Sequence, residues 1–194
     1  MNIANHARTA LLAVALCSAA AAQADVLSFS GTASALATGG PDPTCAPLLF
    51  RQSVAPGAGS GTSSLGSFGY TSTTCVTAGG PVSGIFAINF ANDGFLGTLN
   101  GTTSPASTPG VFIPDFTYAI LSGTGRFLGA SGTFQGTGSI DPRVPPSRLS
   151  LNFNGRINAP AVPEPATWSM MLVGFGAAGW SMRRRQKDRL IAAA

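Results

Sequence analysis

The chain has little equipment for acid–base or nucleophilic chemistry. Its 194 residues hold one histidine, His6, and one lysine, Lys187, at opposite ends of the chain, and only 9% of residues are charged. Pairs of the Ser-His or Cys-His kind are thereby excluded from the whole middle of the chain. A metal centre there would have to do without its commonest ligand, so neither a metal nor any other cofactor is expected. Carboxylate pairs remain conceivable, since Asp25, Asp42, Asp93, Asp115 and Asp141 lie in the body. Asp42 and Asp141 precede prolines, Asp93 sits in Asn92-Asp93-Gly94, Asp115 follows Pro114 and Asp25 stands at a boundary, so turn chemistry accounts for all five. The body is expected not to be an enzyme.

A basic surplus is also missing where it would matter. The net charge of +4 comes from the two terminal segments, Arg8 at the front and a surplus of basic residues in the tail, because between residues 25 and 163 the five aspartates are matched by Arg51, Arg126, Arg143, Arg148 and Arg156. No nucleic-acid-binding surface is implied. Helical periodicity is scarce in the same stretch, which is rich in Gly, Ser and Thr, and this points to an all-β body.

Cysteine is sparse but informative. Cys17 lies inside an N-terminal segment with Arg8, an apolar run from Ala10 to Ala22, and the small-x-small site Ala22-Gln23-Ala24 before Asp25. That is the pattern of a secretory signal peptide over residues 1–24, cut by signal peptidase after Ala24. Leu16 is too large for the small residue that lipoprotein processing requires ahead of Cys17. Export leaves Cys45 and Cys75 in an oxidising compartment, where a disulfide is the natural expectation; two free thiols are the alternative.

Strand signals are clearest in the second half. Phe86, Ile88 and Phe90 alternate with smaller neighbours, the Asn-Asp-Gly turn follows, and residues 95–101 alternate again, so residues 84–102 predict a hairpin. Phe116, Tyr118 and Ile120 form one face of a further strand, and Leu149, Leu151 and Phe153 one face of another. Residues 26–36 and 65–76 also predict strands. Residues 38–47, 54–64 and 141–147 predict loops from their Gly, Pro and Ser content.

Between two of these strands stands Ser122-Gly123-Thr124-Gly125-Arg126-Phe127-Leu128-Gly129-Ala130-Ser131-Gly132. No helical pattern follows, so this is not a phosphate-binding loop. Gly123, Gly125, Gly129 and Gly132 suit a tight corner, and Phe127 can plug one end of a core. The segment resembles the Gly-Thr-Gly-x-Phe-x-x-Ala-x-Gly corner of allene oxide cyclase-like and dirigent-like barrels. The resemblance implies a single antiparallel β-barrel of roughly eight strands; a β-sandwich is the second choice. It covers a structural corner only and carries over no activity.

The tail is a different kind of text. Residues 163–165, Pro163-Glu164-Pro165, cannot enter a helix interior and predict an extended, accessible segment. Trp168 follows, within an apolar stretch over residues 166–182, and then the basic cluster Arg183, Arg184, Arg185 and Lys187. As a helix those seventeen residues span roughly 26 Å, just under the ~30 Å of a hydrocarbon core. They predict one transmembrane helix, with the basic stop at residues 183–187 and a short cytoplasmic tail at 188–194. The order Pro-Glu-Pro, Trp, apolar span and arginine cluster over residues 162–187 resembles the PEP-CTERM sorting signal. That resemblance implies recognition and removal of the tail by exosortase, an integral-membrane protease of exopolysaccharide-producing Gram-negative bacteria.

Together these readings predict an exported surface or exopolysaccharide-associated protein whose all-β domain, residues 25–161, is held first at the inner membrane with its body in the periplasm. The alternative is a barrel that binds a small apolar ligand behind a plain anchor. A roomy interior would favour the ligand and a filled one the surface role; the inward rings of Phe86, Phe90, Phe116 and Phe153 can fill the interior as easily as line a cavity, and core packing is the expectation.

Overall fold

The computed structural model describes residues 25–160, 171–180 and 183. The body, a compact unit of residues 24–161, contains nine strands: β1 (Asp25–Pro41), β2 (Phe50–Val54), β3 (Gly59–Ser63), β4 (Gly66–Val76), β5 (Pro81–Asn89), β6 (Gly94–Pro105), β7 (Phe112–Thr124), β8 (Ser131–Asp141) and β9 (Ser147–Ala159). Every pairing is antiparallel, and β1 closes the sheet on β9 from Asp25 opposite Ala159 to Ala37 opposite Ser147. Closure gives a barrel and rules out the sandwich, and it leaves no free sheet edge.

Nine strands occupy eight positions. β2 and β3 both lie between β1 and β4: β2 pairs with Thr38–Pro41 and Ser72–Val76, β3 with Gly31–Ala35 and Gly66–Gly69. They are one strand interrupted at residues 55–58. Here the sequence expectations need correction. The loop expected at residues 38–47 begins only after Pro41, where Asp42 caps a short 3-10 turn at Pro43–Cys45. The loop expected at 54–64 holds all of β3. The hairpin expected at 84–102 is present as β5 and β6, and residues 142–146 form the connection expected there.

The interior follows the period-two alternation of the strands. Phe29 is fully buried and meets Phe68, Phe95, Phe134 and Phe153 at ring separations of 6.1, 5.6, 4.9 and 5.9 Å. Tyr118 stacks on Phe134 at 4.7 Å and takes the edge of Phe86 at 4.9 Å. These rings bring the strands together at one end of the barrel. Glycines make room for them: a Cβ on Gly136 would stand 2.5 Å from the Tyr118 ring.

In the C-terminal part, residues 171–180 are helical, and so is Arg183. Among the described residues no helix is long and apolar enough to cross a membrane. The remainder of the span expected over 166–182 lies outside the described residues, as does the signal peptide expected over 1–24.

Candidate functional site

The two ends of the barrel are built differently. One end holds the start of β1 and the finish of β9, together with the turns after β3, β5 and β7; it is plugged. Gly125–Phe127 forms a 3-10 turn there, and Phe127 is completely buried, 5.4 Å from the Phe90 ring and 5.1 Å from that of Phe95. The Arg126 guanidinium lies 4.8 Å from both the Phe90 and Phe127 ring centres, pairs with Asp93 at 2.9 Å and donates to the Leu65 carbonyl at 2.9 Å. Gly125 has φ +58°, in the left-handed region. Gly129 (φ +74°) and Gly132 (φ +132°) also have positive φ, whereas at Gly123 the constraint is close approach to Phe127. The corner thus works as a stopper with a cationic clasp.

The opposite end is open. A cavity of about 310 Å³ enters the barrel between the ends of β2, β4, β6 and β7. Its walls include Val82, Leu99, Phe116, Ile140 and Leu149, with Phe50 and Phe112 at the rim. Ser72, Thr74 and Thr103 add three nearly buried hydroxyls. Tyr70 lines the cavity, and its phenol oxygen is 3.2 Å from that of Tyr118. Burial pushes both phenols upward; Tyr118 is raised further because a charge on Tyr70 would repel its own and because its hydrogen bond with Tyr70 favours the neutral phenol. Both stay neutral across the physiological range. Of the four inward aromatics weighed above, Phe86 and Phe153 fill the core, Phe90 sits half-buried beside the plug, and Phe116 alone lines the cavity.

The loops around this mouth are stapled. Cys45 and Cys75 form a disulfide with Cα atoms 5.3 Å apart, tying the 3-10 turn to the end of β4. Asp42 pairs with Arg51 at 2.6 Å and accepts from the Thr44 N–H at 2.8 Å. Asp141 pairs with Arg143 at 2.7 Å, and hydrogen bonds from Arg143 hold its carboxyl down at about 2. The Asp42 carboxyl is likewise lowered, first by the Thr44 hydroxyl and backbone and then by Arg51. Three of the five aspartates are therefore committed to ion pairs. Asp25, the residue after the expected cleavage site, is exposed at the start of β1. Among the described residues no three His, Cys, Asp or Glu side chains converge on a common point.

The remaining sequence-predicted residues lie elsewhere. Ala22 and Ala24 at the front, and Pro163, Glu164, Pro165, Trp168, Arg184, Arg185 and Lys187 at the back, fall outside the described residues. Arg183 is exposed, as are Met171, Leu172, Val173 and Phe175 of the C-terminal helix. The mouth cavity was not visible in the sequence beforehand. Its signal was available, however: inward positions on β4 change from Phe68 and Tyr70 to Ser72, Thr74 and Val76 along the strand, so side-chain volume runs out toward one end.

Comparison with known proteins bears on the tail alone. No curated protein and no solved structure matches the chain. Residues 161–185 match the PEP-CTERM protein-sorting motif. That window contains Pro163-Glu164-Pro165, Trp168 and the three arginines. The chain therefore carries a PEP-CTERM sorting domain behind an antiparallel β-barrel, and the domain implies exosortase-type sorting of an exported surface protein.

Proposed function

We propose that the protein is a non-enzymatic component of the cell surface or of an exopolysaccharide matrix, exported by a signal peptide and processed at its C-terminus by exosortase. The observation that carries the reading is the sorting motif at residues 161–185. Signal peptidase cuts after Ala24 and frees Asp25, the first residue of β1. The apolar tail then halts in the inner membrane with the body in the periplasm. Arg183, Arg184 and Arg185 fix its orientation, since carrying each charge to the bilayer centre costs about 2.5–3.5 kcal/mol on insertion scales. Pro163-Glu164-Pro165 presents an extended backbone to the protease. A non-enzymatic body is supported by the scarcity of chemical groups: His6 and Lys187 lie outside it, and Asp42, Asp93 and Asp141 are occupied by arginines.

The test is the mass of the protein recovered from the surface of cells with and without exosortase. Cells with the enzyme should yield a chain that starts at Asp25 and lacks Trp168–Ala194. Cells without it should accumulate the uncut, membrane-bound form, and so should the double variant Glu164→Ala/Pro165→Ala in cells that have the enzyme. Retention of Trp168–Ala194 in both strains overturns the sorting reading and leaves a plain anchor.

A further inference from the structure

A barrel this small can fill itself completely, yet half of this one does not. Rings from Phe29, Phe86, Phe95, Phe134 and Phe153 pack the plugged half, whereas the mouth half is lined by smaller inward residues and holds a gap of about 310 Å³. Leaving this gap forfeits contacts that Phe or Leu at Ser72, Thr74 or Thr103 would make. We propose that the barrel mouth is a binding site for a small, uncharged, mostly apolar molecule that bears one hydroxyl or carbonyl group.

Size comes first. The gap is at the lower end of ligand pockets and equals about ten water volumes of ~30 Å³, which suits a molecule of about ten to fifteen non-hydrogen atoms. Charge comes next. Arg51 is the one charged residue of the lining, and it is already bound to Asp42 and Thr44, each at 2.6 Å. Nothing inside compensates an ion, and desolvating an uncompensated ion is costly. The Tyr70 phenol is neutral and already engaged with Tyr118.

The polar handle is the last constraint. Ser72, Thr74 and Thr103 are almost buried, and a bare hydrocarbon would use none of the hydrogen-bonding capacity their hydroxyls have to spare. The Thr74 hydroxyl reaches the Gln52 carbonyl at 3.5 Å and the Thr103 hydroxyl reaches that of Gly80 at 3.4 Å. Both contacts are long, so most of their hydrogen-bonding capacity is unspent and open to a guest hydroxyl or carbonyl. Asp25 and Ala159, the first and last strand residues of the body, pair with each other at the plugged end, away from the mouth. Water is the competing occupant, and poorly held waters on apolar walls are the kind whose displacement adds affinity. The inference does not rest on the sorting reading and survives or fails separately from it.

The test uses the protein as recovered from the cells, cut or uncut at its C-terminus, titrated calorimetrically with 2-naphthol, naphthalene and naphthalene-2-sulfonate. One saturable site for 2-naphthol is expected, with the sulfonate at least about tenfold weaker. Ala78 is exposed on the rim, so Ala78→Trp should block the mouth and weaken 2-naphthol at least about tenfold with the melting temperature unchanged. The double variant Thr74→Val/Thr103→Val keeps side-chain shape and should weaken 2-naphthol severalfold without weakening naphthalene. Absence of saturable 2-naphthol binding overturns the proposal. So does equal affinity for the sulfonate, or binding indifferent to both the rim and the hydroxyl variants, since either result places the probe on the outer surface.

Discussion

Replacing Gly125 by valine tests the barrel's stopper directly. With φ at +58°, Gly125 occupies a conformation that costs an L-residue about 1–2 kcal/mol, and more with a branched Cβ. Space is a second obstacle, because a Cβ there would stand 2.6 Å from the Cβ of Asp93. The turn must therefore shift, and Asp93 with it. Asp93 anchors Arg126 at 2.9 Å, and Arg126 is the cation set against both the Phe90 and Phe127 rings. Because Arg126 is half exposed, the ion pair contributes no more than about 1 kcal/mol, and the ring contacts about 0.5–1 kcal/mol more. The sum is about 2–4 kcal/mol. For a domain of this size that is a fall of roughly 10 °C in melting temperature. Thermal and urea unfolding of the exported protein supply the measurement, with Gly125→Asn and Gly125→Ala alongside. Asparagine tolerates the left-handed region best, so the losses should rank Asn, then Ala, then Val. If valine matches glycine to within about 0.5 kcal/mol, the corner carries no conformational constraint and the stopper account fails.

The other expectations concern the mouth and the buried phenols. Cys45→Ser should lower stability by about 3.6 kcal/mol, the chain-entropy value for a separation of 30 residues; rapid alkylation of both thiols in the folded native protein would show that the bond is not made. The chain has two tyrosines, Tyr70 and Tyr118, and burial raises both. Their folded-state values lie above the unfolded value near 10, so their contribution to stability is complete below about pH 10 and declines above it. Absorbance at the phenolate band should accordingly stay flat until alkaline unfolding, and a smooth titration of either phenol in the folded protein would contradict their burial. Asp141 has the opposite sign: its carboxyl is lowered to about 2, so its pairing with Arg143 is intact above about pH 4 and is lost as the pH falls toward 2. Carboxyl chemical shifts followed through acid titration check this, and an ordinary midpoint for Asp141 would show that the ion pair does not form in solution.

How legible the fold was depends on where inward side chains exist to be read. The strands with large inward residues declared themselves: Leu149, Leu151 and Phe153 on β9, Phe116, Tyr118 and Ile120 on β7. β3 did not, because Gly59 and Gly61 stand at its inward positions and Ser60, Thr62 and Ser63 offer no apolar rhythm. It is a strand because β1 and β4 pair with it from both sides, and a Cβ on Gly61 would collide with the Phe68 ring. With glycine at its inward positions, β3 carries no side-chain alternation that could mark it. The end of β1 was missed for the same reason, since Gly39, Gly40 and Pro41 look like a turn until β2 pairs with them. The tail was legible because its motif is local, with residue types at fixed spacing. The cavity was not, because a void is a property of facing strands and no single strand encodes it.

The distribution of fastenings around the barrel follows from that void. At the plugged end the rings supply cohesion, and truncating a buried ring such as Phe127 would cost about 3–5 kcal/mol. At the mouth there is no such packing, because the gap occupies the place where it would be. The disulfide, the Asp42–Arg51 pair and the Asp141–Arg143 pair all lie at that end. Ion pairs exposed to solvent are screened and contribute little, whereas the bridge contributes about 3.6 kcal/mol in the chain-entropy model. Cys45–Cys75 is therefore the principal substitute for the missing core. A closed core would make such a bridge redundant; a cavity kept open requires that its rim be held by something other than packing.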